Sequence, residues 1–206
     1  NNNTGEWTYL IQTSIDNAGV NDVIVISPST YYETITINKV GLTVQGPSSV
    51  KLNDGVIIDA EDNGCAITVT KSGISVLGLN VVNSFAWEDP FNSSGIRVLS
   101  DNNEIKYNKI TDSYVGILLE TSDNNEVYEN EIDNVDIGIV LTKSNDNSIQ
   151  SNQIIDSDVI DIKVTSFGYT SGSENNDFSH NTGIELIEFT DSNSNSLNGQ
   201  EVGTFD

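Results

Sequence analysis

Between Gly95 and Val164 the chain repeats itself about every 22 residues, and that period leaves few folds open. Blocks starting at Gly95 (GIRVLSDNNEIKYNKITDSYV), Gly116 (GILLETSDNNEVYENEIDNVDI) and Gly138 (GIVLTKSNDNSIQSNQIIDSDVI) align without gaps in their centres. The glycines lie 21 and 22 residues apart, and Asn108, Asn130 and Asn152 lie 22 and 22 apart. A period of this size marks one supersecondary unit stacked on copies of itself. No unit can bury its apolar side alone, so neighbours bury it together.

Inside each block apolar and polar residues alternate, as in Ile96, Val98, Ile105, Tyr107 and Ile110, then Val127, Ile132, Ile137, Ile139 and Leu141. Period-two alternation in short runs, with Gly, Asn, Asp and Ser between them, signals strands rather than helix. Three short strands per repeat describe one coil of an all-β, single-stranded parallel β-helix, each strand pairing with its equivalent about 4.8 Å away. Asn tolerates the left-handed backbone of a sharp corner, so Asn108, Asn130 and Asn152 are expected at corners. Their stacked amides are expected to form a hydrogen-bonded ladder that reaches Asn181. A second polar row is expected at Asp101–Asn103, Asp123–Asn125 and Asn145–Asn147.

The repeat continues outward less faithfully. Val76–Ser84 aligns with Ile105–Ser113, with Leu79 at the ladder position, and Asn176–Asn181 repeats the Asn147 block 29 residues later. Two excursions interrupt it, Phe85–Ser94 and Thr165–Gly172, and long loops on a solenoid are where binding concentrates. Trp87, Asp89 and Phe91 make the first excursion the candidate ligand loop. Trp7–Ala18 has helical spacing with Thr8 as N-cap, predicting a short helix over the open edge of the first coil. The whole chain, 1–206, reads as a single domain of eight or nine coils: a cap over 1–20, coils over 21–189 and a Ser/Asn-rich tail over 190–206 without a capping helix.

The opening, with its helix followed by DVIVISPSTYYETITINKVGLTVQGP, resembles the N-terminal cap and first coil of pectin-lyase-like, right-handed parallel β-helix proteins. It is similar to the group holding the periplasmic protein of nitrous-oxide-reductase maturation and many archaeal surface proteins. The resemblance covers Trp7 to about Phe189. It implies a right-handed solenoid and, by analogy, an archaeal-like cell-surface protein; fold of itself does not carry function.

Thirty-one acids against eight bases give a net charge of −23. That argues against nucleic acid or an anionic membrane as partner, since both need a basic face. The balance fits a secreted surface protein, a salt-adapted organism, a cation-binding wall component, or simple solubility of a β-rich surface. No apolar stretch approaches the length of a membrane span. No secretory signal is visible, so the expectation is an extracellular protein whose signal peptide has been removed. Cys65 lies in an apolar run and reads as a structural thiol, with an intermolecular bridge as the other option. Asn2 and Asn92 head glycosylation sequons.

A polysaccharide lyase needs a Lys or Arg base, and Arg97, Lys106 and Lys109 are the bases grouped in the repeat. A glycoside hydrolase needs paired carboxylates, for which Asp112, Asp133, Asp136 and Asp156 are candidates, with Asp112, Asn134 and Asp156 at 22-residue offsets. The hydrolase signature clusters, an Asn-Thr-Asp run, an Asp-Asp pair and a Gly-His-Gly, are missing from the sequence. His180 and Cys65 alone cannot close a zinc or copper site. Asp54, Asp59, Glu61 and Asp62 are calcium candidates by ligand chemistry, and no other cofactor is expected. The reading is therefore a non-catalytic extracellular element of a cell surface: a sheath, surface-layer or filament subunit, or an adhesin. Self-assembly into a homo-oligomer or homopolymer is expected through an under-capped coil end. The alternative is a solenoid that binds or cleaves polysaccharide, with surface glycans as partners.

Overall fold

Short β-branched runs separated by tight polar turns wind into a parallel β-solenoid of about seven turns. The computed structural model describes residues 10–48, 55–85, 90–166, 172–190, 192, 194–198 and 200–202. Coil one holds β1 (Val23–Val25), β2 (Ser29–Tyr32) and β3 (Ile35–Ile37). Coil two holds β4 (Thr43–Gln45), β5 (Val56–Asp59) and β6 (Ile67–Val69), and coil three β7 (Ser75–Leu77), β8 (Asn80–Ser84) and β9 (Ser94–Val98). Coils four to six each pair a short strand with a long one: β10 (Glu104–Lys106) with β11 (Lys109–Glu120), β12 (Glu126–Tyr128) with β13 (Glu131–Thr142), and β14 (Ser148–Gln150) with β15 (Gln153–Thr165). The last turn carries β16 (Ile187–Phe189), followed by β17 (Asn195–Leu197) and β18 (Gln200–Val202). The first sheet runs β1-β4-β7-β10-β12-β14, and the long strands fuse the other two sheets into one.

Eight or nine coils is an overestimate. Equivalent positions Thr43, Ser75 and Glu104 show coils of 32 and 29 residues before the 22-residue pair that follows, so the excursions use up chain that would have made further turns. The inserted residues of coil six divide between two places. A one-residue bulge falls between Val135↔Ser157 and Ile137↔Ile160. The rest lie beyond Thr165, where residues 167–171 fall outside the described residues.

Strict register puts like on like in the core. Ile35, Ile67, Ile96, Ile117, Ile139, Ile162 and Ile187 form one isoleucine column through the third sheet. All but Ile187 are buried, and burying each such side chain contributes about 1.5–3 kcal/mol. Gly95 and Gly116 share a column with Gly138 because a side chain has no room there. A Cβ on Gly116 would lie 2.5 Å from Ile132 Cγ2 and 2.6 Å from the Gly138 carbonyl oxygen.

Two amide ladders run down one side. Asn130 Oδ1 accepts the Asn108 backbone N–H (3.0 Å) and side-chain Nδ2 (3.1 Å), and Asn130 Nδ2 donates to Asn152 Oδ1 (2.9 Å) and the Ile105 carbonyl (2.8 Å). Asn152 repeats the pattern onto Asn181, and the Leu79 N–H feeds the top of the column. The second ladder joins Asn103, Asn125, Asn147, Asn176 and Asn195. The ladder asparagines are not the left-handed corner residues the sequence suggested. Positive φ falls one residue earlier, on Tyr107, Glu129, Ser151 and His180 and on Asn102, Asn124, Asp146 and Asn175. The amide is needed inside the coil, so its neighbour takes the strained corner.

The ends also differ from expectation. Helix α1 (Ile11–Asn17) buries Ile11 and Ile15 and begins after Leu10, which offers no side-chain cap; Thr8 lies outside the described residues. Glu33 instead caps it from below, its carboxylate accepting the N–H groups of Ile11 (2.6 Å) and Gln12 (3.1 Å). The Gln12 amide pairs with both backbone groups of Thr36 and closes the edge of β3. The tail, expected to carry no capping helix, holds two short strands that continue the last turn. Asn195 extends a ladder, Ser196 bridges Asp177, and β18 lies antiparallel on β17.

Candidate functional site

Opposite the ladders, the corner after the second sheet is built from different residues. Register stacks Asn83, Asp112, Asn134 and Asp156 in one left-handed column, with φ between 49° and 55°. The residue after each is small or aliphatic (Ser84, Ser113, Val135, Ser157), so the polar groups stay outside. One position further on, Phe85, Tyr114, Asp136 and Asp158 form the next row. The Phe85 and Tyr114 rings meet edge to face, 6.2 Å apart at 76°.

Residues of both rows line a cleft of about 380 Å³ bounded by Asp62, Asn83, Phe85, Asp112, Ser113, Asn134, Val135, Asp136 and Asp158. Asn134 Nδ2 donates to Asp112 Oδ1 at 2.5 Å, and Asn83 Nδ2 to Asp59 Oδ1 at 2.9 Å. Burial, and then the nearby Asp158 carboxylate, raise the Asp136 pKa above the ordinary aspartate value.

A second cleft of about 350 Å³ continues past Asp158, lined by Asp156–Asp161, Gly183, Glu185 and Leu186. It exists because the repeat breaks there. Asp161 takes the glycine column's place in coil six and the bulge makes room for it. Its buried carboxylate accepts the Ser157 hydroxyl and the N–H groups of Glu185 and Leu186, both at 2.7 Å. Together the clefts make an acidic groove along the solenoid axis.

Of the hydrolase candidates, Asp112 and Asp136 line the first cleft and Asp156 the second; Asp133 lines neither. The lyase bases do not converge. Arg97 on β9 binds Glu120 Oε2 through Nε (3.0 Å) and Nη2 (2.5 Å). Lys106 on β10 pairs with Glu104 and Glu126, and Lys109 on β11 with Glu131. Burial pulls the Lys106 pKa down, but its two carboxylates outweigh that and raise it; the Glu131 bond raises that of Lys109.

Trp87, Asp89, Asp54 and Asn2 lie outside the described residues. Phe91 falls in a 3-10 turn, Pro90–Ser93, that packs on β11. Asn92, in the same turn, is exposed and accepts Arg97 Nη1 at 2.8 Å. Asp59 uses Oδ1 on the Glu61 N–H and on Asn83, while Asp62 faces the first cleft. Among the described residues, no three of His, Cys, Asp and Glu come together closely enough to hold a metal. Cys65 is half-buried, and burial raises its thiol pKa against the lowering effect of Ser94 and Arg97. Missed from the sequence was a second apolar cluster on the outward side, Val115, Leu118 and Val140 with Tyr114 and Ile137. Its signal was present: Leu118 and Val140 occupy outward positions of strands that otherwise alternate.

Residues 40–202 match the family described as right handed beta helix region, and the chain belongs to that family. Its fold is similar to that of an alginate lyase from Paenibacillus sp. str. FPU-7 (17% identity, TM-score 0.66, covering 90% of this chain and 72% of that one). The catalytic domain of an alpha-1,3-glucanase in complex with nigerose gives 13% identity and a TM-score of 0.63 over 82% of this chain, which spans 34% of that one. A pectin methylesterase from Yersinia enterocolitica gives 12% identity and a TM-score of 0.53, covering 95% and 92% of the two chains. At such identities the likeness is one of fold. No curated protein matches the chain by sequence.

Proposed function

We propose that this right-handed β-helix is an extracellular glycan-binding protein that holds a neutral or cationic polysaccharide along its acidic groove. The observation that carries the reading is the lining of the first cleft, where the Phe85 ring adjoins the Asp112, Asp136 and Asp158 carboxylates and the side-chain amides of Asn83 and Asn134, with Tyr114 packed edge to face on Phe85. Aromatic faces take the apolar side of a sugar ring, and carboxylates and amides take its hydroxyls. The groove crosses about five coil spacings, from Asp62 to Glu185, or about 24 Å, which suits a polymer rather than a monosaccharide. Its charge sets the ligand class. Carboxylates facing a polyuronate repel it, whereas a neutral chain meets no such cost. The similar solved structures are named for polysaccharide chemistry, which supports a carbohydrate ligand; the one in complex with nigerose holds a neutral sugar.

Affinity electrophoresis and calorimetry against neutral glucans, chitosan, alginate and polygalacturonate test this. Neutral or cationic polymers should retard the protein, alginate and polygalacturonate should not, and Phe85→Ala should weaken retention about tenfold. Retention by the anionic polymers alone, or by none, overturns the reading. Reducing-sugar release from a bound polymer would extend it to hydrolysis, with Asp136 as the proton donor.

The second reading is a non-catalytic cell-surface element, such as a sheath, surface-layer or filament subunit or an adhesin. It is favoured by one observation: among the described residues the strands of the first coil pair only with those of the second.

A further inference from the structure

We propose that the second cleft selects a polysaccharide bearing acetamido groups, that is, a polymer of N-acetylated amino sugars; this rests on reading the groove as glycan-binding. The two clefts meet at Asp158, yet their apolar parts differ. The first offers the Phe85 ring. The second offers no ring and two exposed aliphatic side chains, Val159 and Leu186, with Asp156, Asp158 and Glu185 around them.

Val159 is 55% exposed and Leu186 51%. Past coil one and its cap, no other large apolar side chain among the described residues is as exposed. Both are set in place by the break in the repeat. Val159 comes with the bulge: between the pairs Val135↔Ser157 and Ile137↔Ile160, Asp158 and Val159 stand against Asp136 alone. A bulge of this kind re-aims a side chain. Leu186 is held from beneath. Its N–H and that of Glu185 donate to Asp161 Oδ2, both at 2.7 Å. Its carbonyl accepts the N–H groups of Asp161 (3.2 Å) and Ile162 (3.3 Å). Backbone bonded on both sides fixes where the leucine side chain stands.

The lining selects the occupant. Neither Lys nor Arg lines the cleft, so its charged groups are all hydrogen-bond acceptors. An acetamido group brings what they lack: its N–H donates to a carboxylate, and its methyl rests against Val159 and Leu186. A sugar hydroxyl donates as well but leaves the aliphatic pair in water. An ammonium also leaves the pair uncovered, and its hydration opposes contact with apolar side chains. A uronate adds an anion to a cleft already anionic.

Calorimetry with oligomers of N-acetylglucosamine, glucose and glucosamine, alike in linkage and length, tests this, because they differ only in the group at one ring carbon. At 1 M salt the screening length falls to about 3 Å, which removes most of the carboxylates' attraction for the amine. The acetamido oligomer should then bind at least about tenfold tighter than either of the others, the scale of one small apolar group in a pocket. Leu186→Ser and, separately, Val159→Ser should erase that preference and leave affinity for the glucose oligomer unchanged. Both side chains are exposed, and circular dichroism checks the fold of each variant. Phe85→Ala, in the first cleft, should weaken all three oligomers alike. Equal affinity for the acetamido and hydroxyl oligomers, tightest binding of the amine, or a preference that survives both serine variants overturns the proposal and leaves the glycan-binding reading standing. Binding of none of the three removes that reading, and the proposal with it.

Discussion

The two sides of one coil are built on opposite plans. On the ladder side, each left-handed corner residue is followed by an asparagine that turns inward, and the amides of Asn108, Asn130 and Asn152 satisfy one another in the dark. On the groove side, each left-handed residue is followed by Ser84, Ser113, Val135 or Ser157, and Asn83, Asp112, Asn134 and Asp156 keep their polar groups outside. The backbone geometry is shared and the chemistry is inverted. Buried amides there hold the stack together, because an unpaired buried polar group is costly. Polar groups of the same type at the other corner bond to one another at the surface, where a ligand can reach them. A solenoid can thus dedicate one side to stability and leave the other to vary.

The sharpest way to break this comparison is to remove the same residue type from both sides. Asn130→Ala leaves the Asn108 N–H and amide and the Ile105 carbonyl without their partner. At ~1–3 kcal/mol for each buried orphan, a loss of about 4 kcal/mol is expected in urea unfolding. Asn134→Gly, which keeps the left-handed backbone accessible, should change stability by under about 0.5 kcal/mol. Similar losses from both would mean that the groove side is structural too.

A second contrast lies within the glycine column. Gly116→Ala places a methyl against Ile132 and the Gly138 carbonyl, and thermal unfolding should show a loss of about 1–3 kcal/mol from overpacking. Coil six carries Asp161 at the equivalent position and tolerates it through the bulge and the bonds to Ser157, Glu185 and Leu186. If Gly116→Ala were neutral, the column would be a relic of the repeat and the bulge would need another cause.

What was legible in the sequence was whatever repeats. The 22-residue spacing exposes strands, coil stacking and both rows of asparagine, because register copies each side chain onto its equivalent. Three things were not legible, each for a physical reason. Local preference favours Asn at a left-handed corner, yet Tyr107 and Glu129 sit there, since the buried amide bonds outweigh about 1 kcal/mol of backbone preference. The helix cap joins Ile11 and Gln12 to Glu33 across 22 and 21 residues, a pairing no local motif announces. The groove depends on a single extra residue near Val159, which turns an offset of 22 into 23. Asp112, Asp136 and Asp156 could be named as carboxylates worth watching. The union of Asp112 and Asp136 with Phe85 needed the register of the row beside them.

The smallest expected effect concerns pH on the groove side. The Asp136 pKa is raised in the folded protein, by burial first and by Asp158 second, so the native state binds its proton more tightly than the unfolded chain does. Its stabilising contribution is complete at low pH and is lost as pH rises through the folded-state value. At neutral pH the cost of holding a partly buried charge, and of holding it beside Asp158, remains. Asp136→Asn should therefore raise stability at pH 7 by a few tenths of a kcal/mol, a small effect because solvent screens a largely exposed pair. The gain should shrink as pH falls through the ordinary aspartate range and Asp136 takes up its proton in both states. Urea titrations of the two proteins at pH 3.5 and 7 read the difference directly. The opposite sign at neutral pH would show that Asp136 is held as an anion by a partner, and it would remove the proton donor from the groove.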